Sequence, residues 1–188
     1  MIISALKEIN NEEKRVAIVP DIARKLVNDG HTVLIEKDAG ISSFFSNEAY
    51  IEAGAEISSS DDIILKSDIL LVVNLPSDEI LSRQKKGSNI IGLLNPYDNQ
   101  KSFDHFKNRS LNAFSMELVP RITRAQSMDV LSSQANLSGY RAVITATSLY
   151  SKSMAMMMTA AGTVAPAKVF VMGVGVAGLQ AIATAKRL

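Results

Sequence analysis

Three glycines near the end of the chain have the spacing of a phosphate-binding turn. Gly173, Gly175 and Gly178 form a G-x-G-x-x-G pattern, with a predicted strand before it at Val169–Met172 and a predicted helix after it at Ala177–Ala185. In such a turn the first glycine allows the tight bend, the second lets a pyrophosphate approach the backbone, and the third lets helix and strand pack closely. The pattern predicts a dinucleotide site, and its alternative is a tight strand-to-helix turn that binds nothing.

A second candidate site lies at the start of the longest predicted helix. The segment from Arg121 to Asp129 holds two guanidinium groups, a carboxamide and a carboxylate within nine residues. Such a loop offers donors and acceptors that suit a nicotinamide carboxamide or a ribose. The alternative is a solvated helix start in which Asp129 pairs with Arg124 or Arg121, and on these residues alone that alternative is favoured.

Other residues with reactive side chains are isolated in the sequence. His31 and His105 have no companion ligands, so we expect no metal site. The run Ser151–Ser153 places a lysine between two serines, but adjacent helical residues do not face each other. The methionines between 154 and 158 are interpreted as packing at a domain or subunit contact.

The bulk composition excludes several classes of function. The chain has 188 residues and a formal net charge of +1, with no basic face that would favour nucleic acid. It contains no cysteine, which excludes disulfides and thiolate metal sites. The uncharged stretch 169–185 approaches the length of a membrane span, but its glycine spacing favours a strand, a turn and a helix instead.

Short apolar runs alternate with helical patterns over the first 120 residues, which predicts an α/β fold with a parallel, Rossmann-like sheet. Several runs are continuous Val, Ile and Leu, as in strands that are buried on both faces. The predicted strands are Ile2–Leu6, Thr32–Ile35, Ile69–Val73, Ile90–Leu94 and Leu111–Ser115, and the predicted helices are Asp21–Asp29, Asn47–Ala53, one that begins at Asp61 and Asp62, and Lys101–Arg109.

The pattern changes at Pro120. From Ser127 to Tyr150 the sequence predicts one long helix, and a second helical stretch is predicted over Ser153–Ala161. We therefore divide the chain into an N-terminal Rossmann-like subdomain (1–126), linking helices (127–165) and the first βα unit of a second Rossmann subdomain (166–188).

Three segments together resemble a known family. Residues 119–143, VPRITRAQSMDVLSSQANLSGYRAV, resemble the signature of the alpha subunit of proton-translocating NAD(P) transhydrogenase, and residues 159–169 with the glycine turn continue the likeness. Lys7-Glu8 and the segment 13–20, EKRVAIVP, resemble the start that transhydrogenase shares with alanine dehydrogenase.

The resemblance implies a soluble NAD(H)-binding domain of two Rossmann-like subdomains that works as a homodimer. It would deliver hydride to NADP(H) held on a separate domain, with proton movement through a membrane domain, which places the chain in the cytoplasm at the inner membrane of a bacterium. The implied ligands of the nicotinamide end and its ribose are Arg121, Ile122, Thr123, Arg124, Gln126, Asp129 and Ser132, and those of the pyrophosphate are Gly173, Gly175, Val176 and Gly178.

The position of the glycine turn adds an expectation about binding. Ten residues follow Gly178, whereas the acidic residue that binds the ribose hydroxyls is usually about 20 residues beyond the turn. We therefore expect the isolated chain to bind NADH very weakly and to be inactive. We also expect the unit 169–188 to expose apolar faces and to be poorly ordered or covered by a second chain.

Two asparagines separate transhydrogenase from its relative, alanine dehydrogenase. The relative's catalytic lysine and histidine would stand at Asn74 and Asn95, and neither asparagine can act as a general acid or base near neutral pH. Direct hydride transfer between two nicotinamides needs no such residue. The alternatives that remain are an alanine-dehydrogenase-like enzyme with altered catalysis and a non-catalytic assembly protein of the same fold.

Overall fold

The computed structural model describes residues 1–10 and 12–188 and contains a six-stranded parallel sheet. The strand order is β3-β2-β1-β4-β5-β6, which is the order of a doubly wound nucleotide-binding sheet. The predicted α/β fold is confirmed. The strands are β1 Ile2–Ala5, β2 Thr32–Glu36, β3 Glu56–Ser58, β4 Ile69–Asn74, β5 Asn89–Leu93 and β6 Asn112–Ser115.

Five helices accompany this sheet. The first, α1, begins with Pro20 in its first turn, and Gly30 follows its end with a φ of 84°, as the sequence predicts. The second ends before Gly54, whose φ of 87° likewise favours glycine. The helices are α1 Pro20–Asn28, α2 Asn47–Glu52, α3 Ser60–Lys66, α4 Asp78–Arg83 and α5 Phe103–Arg109.

Apolar side chains are buried on both faces of the sheet. In β2, Val33 and Ile35 belong to one core cluster and Leu34 to the other, because successive side chains of a strand point to opposite faces. Tyr50 is fully buried in the same cluster as Val33 and donates its hydroxyl to the Ile18 carbonyl at 2.7 Å. Continuous apolar strands therefore indicate a sheet that is covered on both sides.

The chain divides into two compact units, Met1–Val119 and Pro120–Leu188. We call them unit 1 and unit 2. Unit 2 contains the helices α6 Val130–Leu149 and α7 Val176–Arg187 and a two-stranded antiparallel sheet, β7 Met157–Thr159 and β8 Gly162–Val164. The observed boundary lies seven residues before the predicted one at 126, and the three-part division remains a prediction. No helix within the described residues has the length and apolar character that crossing a membrane requires.

Two predicted elements of unit 2 are wrong. The helix predicted over Ser153–Ala161 is replaced by the β7–β8 hairpin, in which Thr159 pairs with Gly162. The pairing of Met157 with Val164 and of Met158 with Thr163 is a contact between strands that the local apolar pattern does not reveal. Val169–Met172 forms no strand, since neither of the two sheets in the described residues pairs with it.

Candidate functional site

The segment before α6 folds back on the start of that helix through three polar side chains. Arg121 donates from Nη2 to Ser132 Oγ at 2.7 Å and from Nε to Asp129 Oδ2 at 3.4 Å. Ser132 Oγ donates in turn to Asp129 Oδ2 at 2.7 Å. The structure therefore joins three predicted site residues, and the Arg121–Asp129 pair is one of the two pairings that the solvated-helix alternative predicts, so the binding roles of these residues remain predictions.

Asp129 caps α6 and forms the centre of this cluster. Its Oδ1 accepts the backbone N–H of Ser132 at 2.8 Å, as an N-cap residue does. The bonds from the Ser132 backbone and hydroxyl, with the charge of Arg121, lower the pKa of the Asp129 carboxyl below its usual range. The carboxylate is consequently ionised at neutral pH. The side chain of Arg121 is 63% exposed and that of Asp129 17% exposed, so the guanidinium lies open to a ligand.

The rest of the loop presents its side chains outward. Residues Thr123–Met128 form a 3₁₀ turn in which Ala125 is buried. The exposed side chains of the loop include the other predicted ligands, Ile122, Thr123, Arg124 and Gln126. The exposed polar and charged side chains on either side of the buried Ala125 therefore form a surface that can contact a small molecule.

The glycine turn has the geometry that its sequence predicts. Gly173 has a φ of 98°, which favours glycine, and a Cβ on Gly178 would overlap the Gly173 carbonyl oxygen. A Cβ on Gly175 would meet no atom within 4 Å. Gly173 and Gly178 therefore close the turn, whereas Gly175 leaves space beside the backbone at the N-terminus of α7, where Val176 is the first helical residue. The residues fit a pyrophosphate group.

Gly139, for which the sequence patterns predict no role, lies at a contact between α6, which follows the loop, and α7, which follows the glycine turn. Gly139 is buried in the middle of α6, and a Cβ there would overlap the Ala177 carbonyl oxygen in the first turn of α7. Ser132 and Gly139 are seven residues apart, which places them on nearly the same face of α6 and about 10 Å apart along its axis. A signal exists in the sequence, because a glycine inside a long helix usually has a packing reason.

In unit 1 the strand order reverses between β1 and β4, and a cleft of about 290 Å³ lies at their carboxyl ends. Open α/β sheets bind ligands at such a position. Here Glu8 accepts the backbone N–H of Val73 at 2.7 Å and the Asn74 side-chain amide at 3.2 Å. The same amide donates to Glu13 at 3.1 Å. Two carboxylates of the protein therefore already bind the donors at this end of β4.

Glu13 is itself held by Arg15. The guanidinium donates to both carboxylate oxygens, at 2.7 Å from Nε and 2.6 Å from Nη2. These bonds to Arg15 lower the pKa of Glu13 to about 2. The end of β4 therefore lies beside a carboxylate that is paired with a guanidinium, and Lys7 and Glu8 line the cleft with opposite charges.

Asn95 follows β5 and is also engaged in local bonds. Its backbone N–H donates to Glu117, and its side-chain amide donates to Asp98 at 2.7 Å. The residue has a φ of 42°, a conformation that asparagine tolerates better than most residues. Its side-chain amide therefore supports a turn at the end of β5. Across residues 1–10 and 12–188, no three His, Cys, Asp or Glu side chains are grouped so as to hold a metal ion.

Comparisons with known proteins agree with this combination of sheet, loop and glycine turn. The family model "Alanine dehydrogenase/PNT, N-terminal domain" matches residues 4–138, and "Alanine dehydrogenase/PNT, C-terminal domain" matches residues 142–188. The chain therefore belongs to the alanine dehydrogenase/PNT family.

Within this family the likeness to transhydrogenase is the stronger one. The chain is 50% identical to an NAD(P) transhydrogenase subunit alpha protein of Rickettsia prowazekii, over 100% of this chain and 50% of the relative. A crystal structure of transhydrogenase from Sinorhizobium meliloti matches with a TM-score of 0.96 and 47% identity, covering 100% of this chain and 56% of that chain. Alanine dehydrogenase of Bacillus subtilis is 29% identical, over 96% of this chain and 48% of the relative.

These matches confirm the resemblance that the sequence segments indicated. The present chain spans about half the length of the curated transhydrogenase relatives that it matches.

Proposed function

We propose that this chain is the N-terminal portion of the NAD(H)-binding component of an NAD(P) transhydrogenase alpha subunit. In this proposal hydride passes between NADH and NADP⁺, and the reaction is coupled to proton translocation. The observation that carries the proposal is the Arg121–Asp129–Ser132 cluster within a segment resembling the transhydrogenase signature. Three bonds of 3.4 Å or less hold the cluster together at the start of α6.

The loop before α6 would hold the nicotinamide end of the nucleotide. Bound NAD(H) supplies the hydride, and the protein residues orient it. The ionised Asp129 accepts hydrogen bonds, the exposed guanidinium of Arg121 donates them, and Gln126 offers both. Such a set suits the carboxamide and the ribose hydroxyls, and Ile122, Thr123, Arg124 and Ser132 complete the proposed contacts.

The glycine turn would hold the pyrophosphate. The space beside Gly175 permits a close approach to the backbone, and the first N–H groups of α7 are not used within the helix. The positive end of the helix dipole favours the negative charge. Gly173 and Gly178 shape this turn, and Val176 contributes its backbone N–H.

Transhydrogenation is compatible with asparagine at positions 74 and 95, because it needs no general acid or base there. Asn74 and Asn95 are both committed to bonds with carboxylates of the protein, so their amides are already occupied where an amino-acid or keto-acid substrate would need a partner. Direct transfer between two nicotinamides requires proximity, orientation and exclusion of water. The cleft therefore favours transhydrogenation over amino-acid deamination.

The partners in this proposal are a second copy of the chain, a domain that carries NADP(H) and a membrane domain. Attachment through those partners would place the protein on the cytoplasmic side of the inner membrane. The exposed loop before α6 has charged side chains and the accessibility to present a bound nicotinamide to another domain.

The test compares two arginines in the full-length alpha subunit combined with the NADP-binding domain. Arg121→Ala removes two donors from the cluster, whereas Arg141→Ala removes an exposed guanidinium from α6 outside it. We expect Arg121→Ala to weaken NADH binding roughly 10- to 100-fold, the range for hydrogen bonds to charged groups, and Arg141→Ala to leave it unchanged. Isothermal titration with NADH and the rate of NADH-dependent reduction of an NADP⁺ analogue provide the two measurements.

Three results would contradict the proposal. Equal losses in both arginine variants would remove the special role of the cluster. Ammonia-dependent oxidation of NADH with pyruvate would restore the alanine-dehydrogenase interpretation. Absence of nucleotide binding by the full-length subunit would favour an assembly protein.

A further inference from the structure

The contact between α6 and α7 is unusually close at one point. Gly139 is buried, and a Cβ added to it would overlap the Ala177 carbonyl oxygen and lie 2.8 Å from the carbonyl carbon. Backbone atoms cannot rotate away as a side chain can. Any larger residue at position 139 must therefore displace the first turn of α7 from α6.

The displaced turn is the one that follows the glycine sequence. Ala177 is the second residue of α7, between Val176 and Gly178, and Gly175 is the N-cap of the helix. A shift of Ala177 also moves its chain neighbours Val176 and Gly178. Because Gly178 lies directly against the Gly173 carbonyl, the shift moves the rest of the glycine turn as well. The position of the whole turn relative to α6 therefore depends on the absence of a side chain at residue 139.

The polar cluster is attached to the other end of the same helix face. Asp129 caps α6 and Ser132 lies in its first turn, bonded to Arg121. Gly139 follows Ser132 by two helical turns on nearly the same face, and Val143, one turn further, is the other buried residue of α6. The helix thus acts as a rigid spacer between the cluster and the glycine turn.

We infer that Gly139 is a positioning residue that sets the distance between the loop at Arg121–Ser132 and the phosphate-binding turn at Gly173–Gly178. The inference rests on the proposed function, since it assumes that one dinucleotide contacts both elements. A ligand that contacts both elements needs the correct spacing, whereas a ligand that contacts one of them does not. Gly139 therefore contributes to the affinity for the intact dinucleotide more than to the affinity for either part of it.

The experiment measures binding of NADH and of ADP, which keeps both phosphates but lacks the nicotinamide and its ribose, to the full-length subunit carrying Gly139→Ala. Alanine favours a helix more than glycine does, so without the contact this substitution would be harmless. We expect the Kd for NADH to rise about tenfold or more, the cost of a misplaced site, and the Kd for ADP to change less than about twofold. The ratio of the two Kd values is the decisive readout, because general destabilisation would weaken both ligands.

Two control variants complete the design. Ser138→Ala changes an exposed neighbour on α6 and is expected to leave both Kd values unchanged. Val143→Ala loosens the packing of α6 one turn beyond Gly139, and it is expected to lower the melting temperature while keeping the wild-type ratio. If Gly139→Ala fails to fold while Val143→Ala folds, residue 139 has a structural role only, and the positioning inference is overturned.

An unchanged ratio in a folded Gly139→Ala variant overturns the inference, as does the same change of ratio in Val143→Ala. Failure of the unmodified full-length subunit to bind either NADH or ADP is a different outcome. That result refutes the proposed function, and it is obtained before any variant is compared.

Discussion

Unit 1 and unit 2 differ in their buried apolar residues and in their predicted ligand-binding residues. Unit 1 has two apolar clusters, one on each face of a six-stranded sheet, with fully buried residues such as Leu70, Ile35 and Tyr50. In unit 2, the buried hydrophobic residues within the described chain are Ala125, Val143 and Ala181. Every predicted nucleotide ligand lies in unit 2.

The difference separates the residues that pack the core from the residues that are proposed to contact the nucleotide. Large apolar side chains stabilise unit 1, whereas small residues bring backbone segments of unit 2 close together, as at Gly139 and Gly178. Phe170, which is 86% exposed, and Met172 confirm that the segment before the glycine turn exposes apolar side chains. We therefore expect core substitutions to act mainly on the stability of unit 1 and polar substitutions in unit 2 to act mainly on binding.

The largest expected effect is a loss of packing in unit 1. Leu70→Ala removes a fully buried side chain from the central strands of the sheet and should lower the free energy of unfolding by about 2–5 kcal/mol. Phe170→Ala, at an exposed position of unit 2, is the matched control and should change it by less than about 0.5 kcal/mol. Urea unfolding followed by circular dichroism measures both, and similar losses would show that the two units do not differ in this way.

The next effect depends on pH and concerns the cleft of unit 1. The pKa of Glu13 is about 2 in the folded chain, below the ordinary value of 4.5. Its ionised form therefore stabilises the fold above the unfolded-state pKa, and this contribution disappears as the pH falls from about 4.5 to about 2. The contribution is on the order of 2 kcal/mol once solvent screening of the partly exposed Arg15 is allowed for.

Glu13→Gln removes this titration. We expect the variant to be less stable than the wild type at pH 7 and to approach the wild-type free energy of unfolding at pH 3. Urea titrations at pH 7, 5, 4 and 3 compare the two proteins, with the exposed residue Glu52 changed to Gln as the control. A constant difference over this pH range would mean that the Arg15–Glu13 pair does not stabilise the fold through charge.

The smallest expected change in stability belongs to the polar cluster of unit 2. Asp129→Asn keeps a side-chain oxygen that can accept the Ser132 backbone N–H, so α6 should retain its cap and the melting temperature should stay close to that of the wild type. The substitution removes the negative charge and should weaken NADH binding of the full-length subunit roughly tenfold, through the weaker acceptor. Asp129→Ala is the comparison, because it removes both the cap and the charge, and a large loss of melting temperature in Asp129→Asn would contradict this separation.

Most elements of unit 1 follow from sequence patterns. The five predicted strands occur within two residues of their predicted bounds, because each has a continuous apolar run and the core covers both faces. The short strand β3 and the helix α4 do not follow from these patterns. Glu56–Ser58 has one apolar residue in three, so its own pattern does not indicate a strand. It is a strand because its backbone pairs with β2.

In unit 2 the local pattern is less informative. It predicts the long helix and the glycine-turn helix correctly, but it predicts a helix for the methionine-rich segment between them, which belongs to a hairpin. A run of methionines is compatible with either structure, and the pairing of Met157 with Val164 is a contact that local periodicity does not encode.

The sequence by itself determined the α/β class, the positions of the loop and the glycine turn, and the resemblance to transhydrogenase, because these depend on residue types at fixed spacings. The tertiary structure alone decided that Arg121 rather than Arg124 pairs with Asp129, that Glu8 and Glu13 bind the Asn74 amide, and that Gly139 lies against Ala177. Each of these contacts joins residues brought together by chain folding, and most are far apart in the sequence. Hydrogen-bond geometry and backbone overlap depend on distances of a few tenths of an ångström, which spacing along a chain cannot specify.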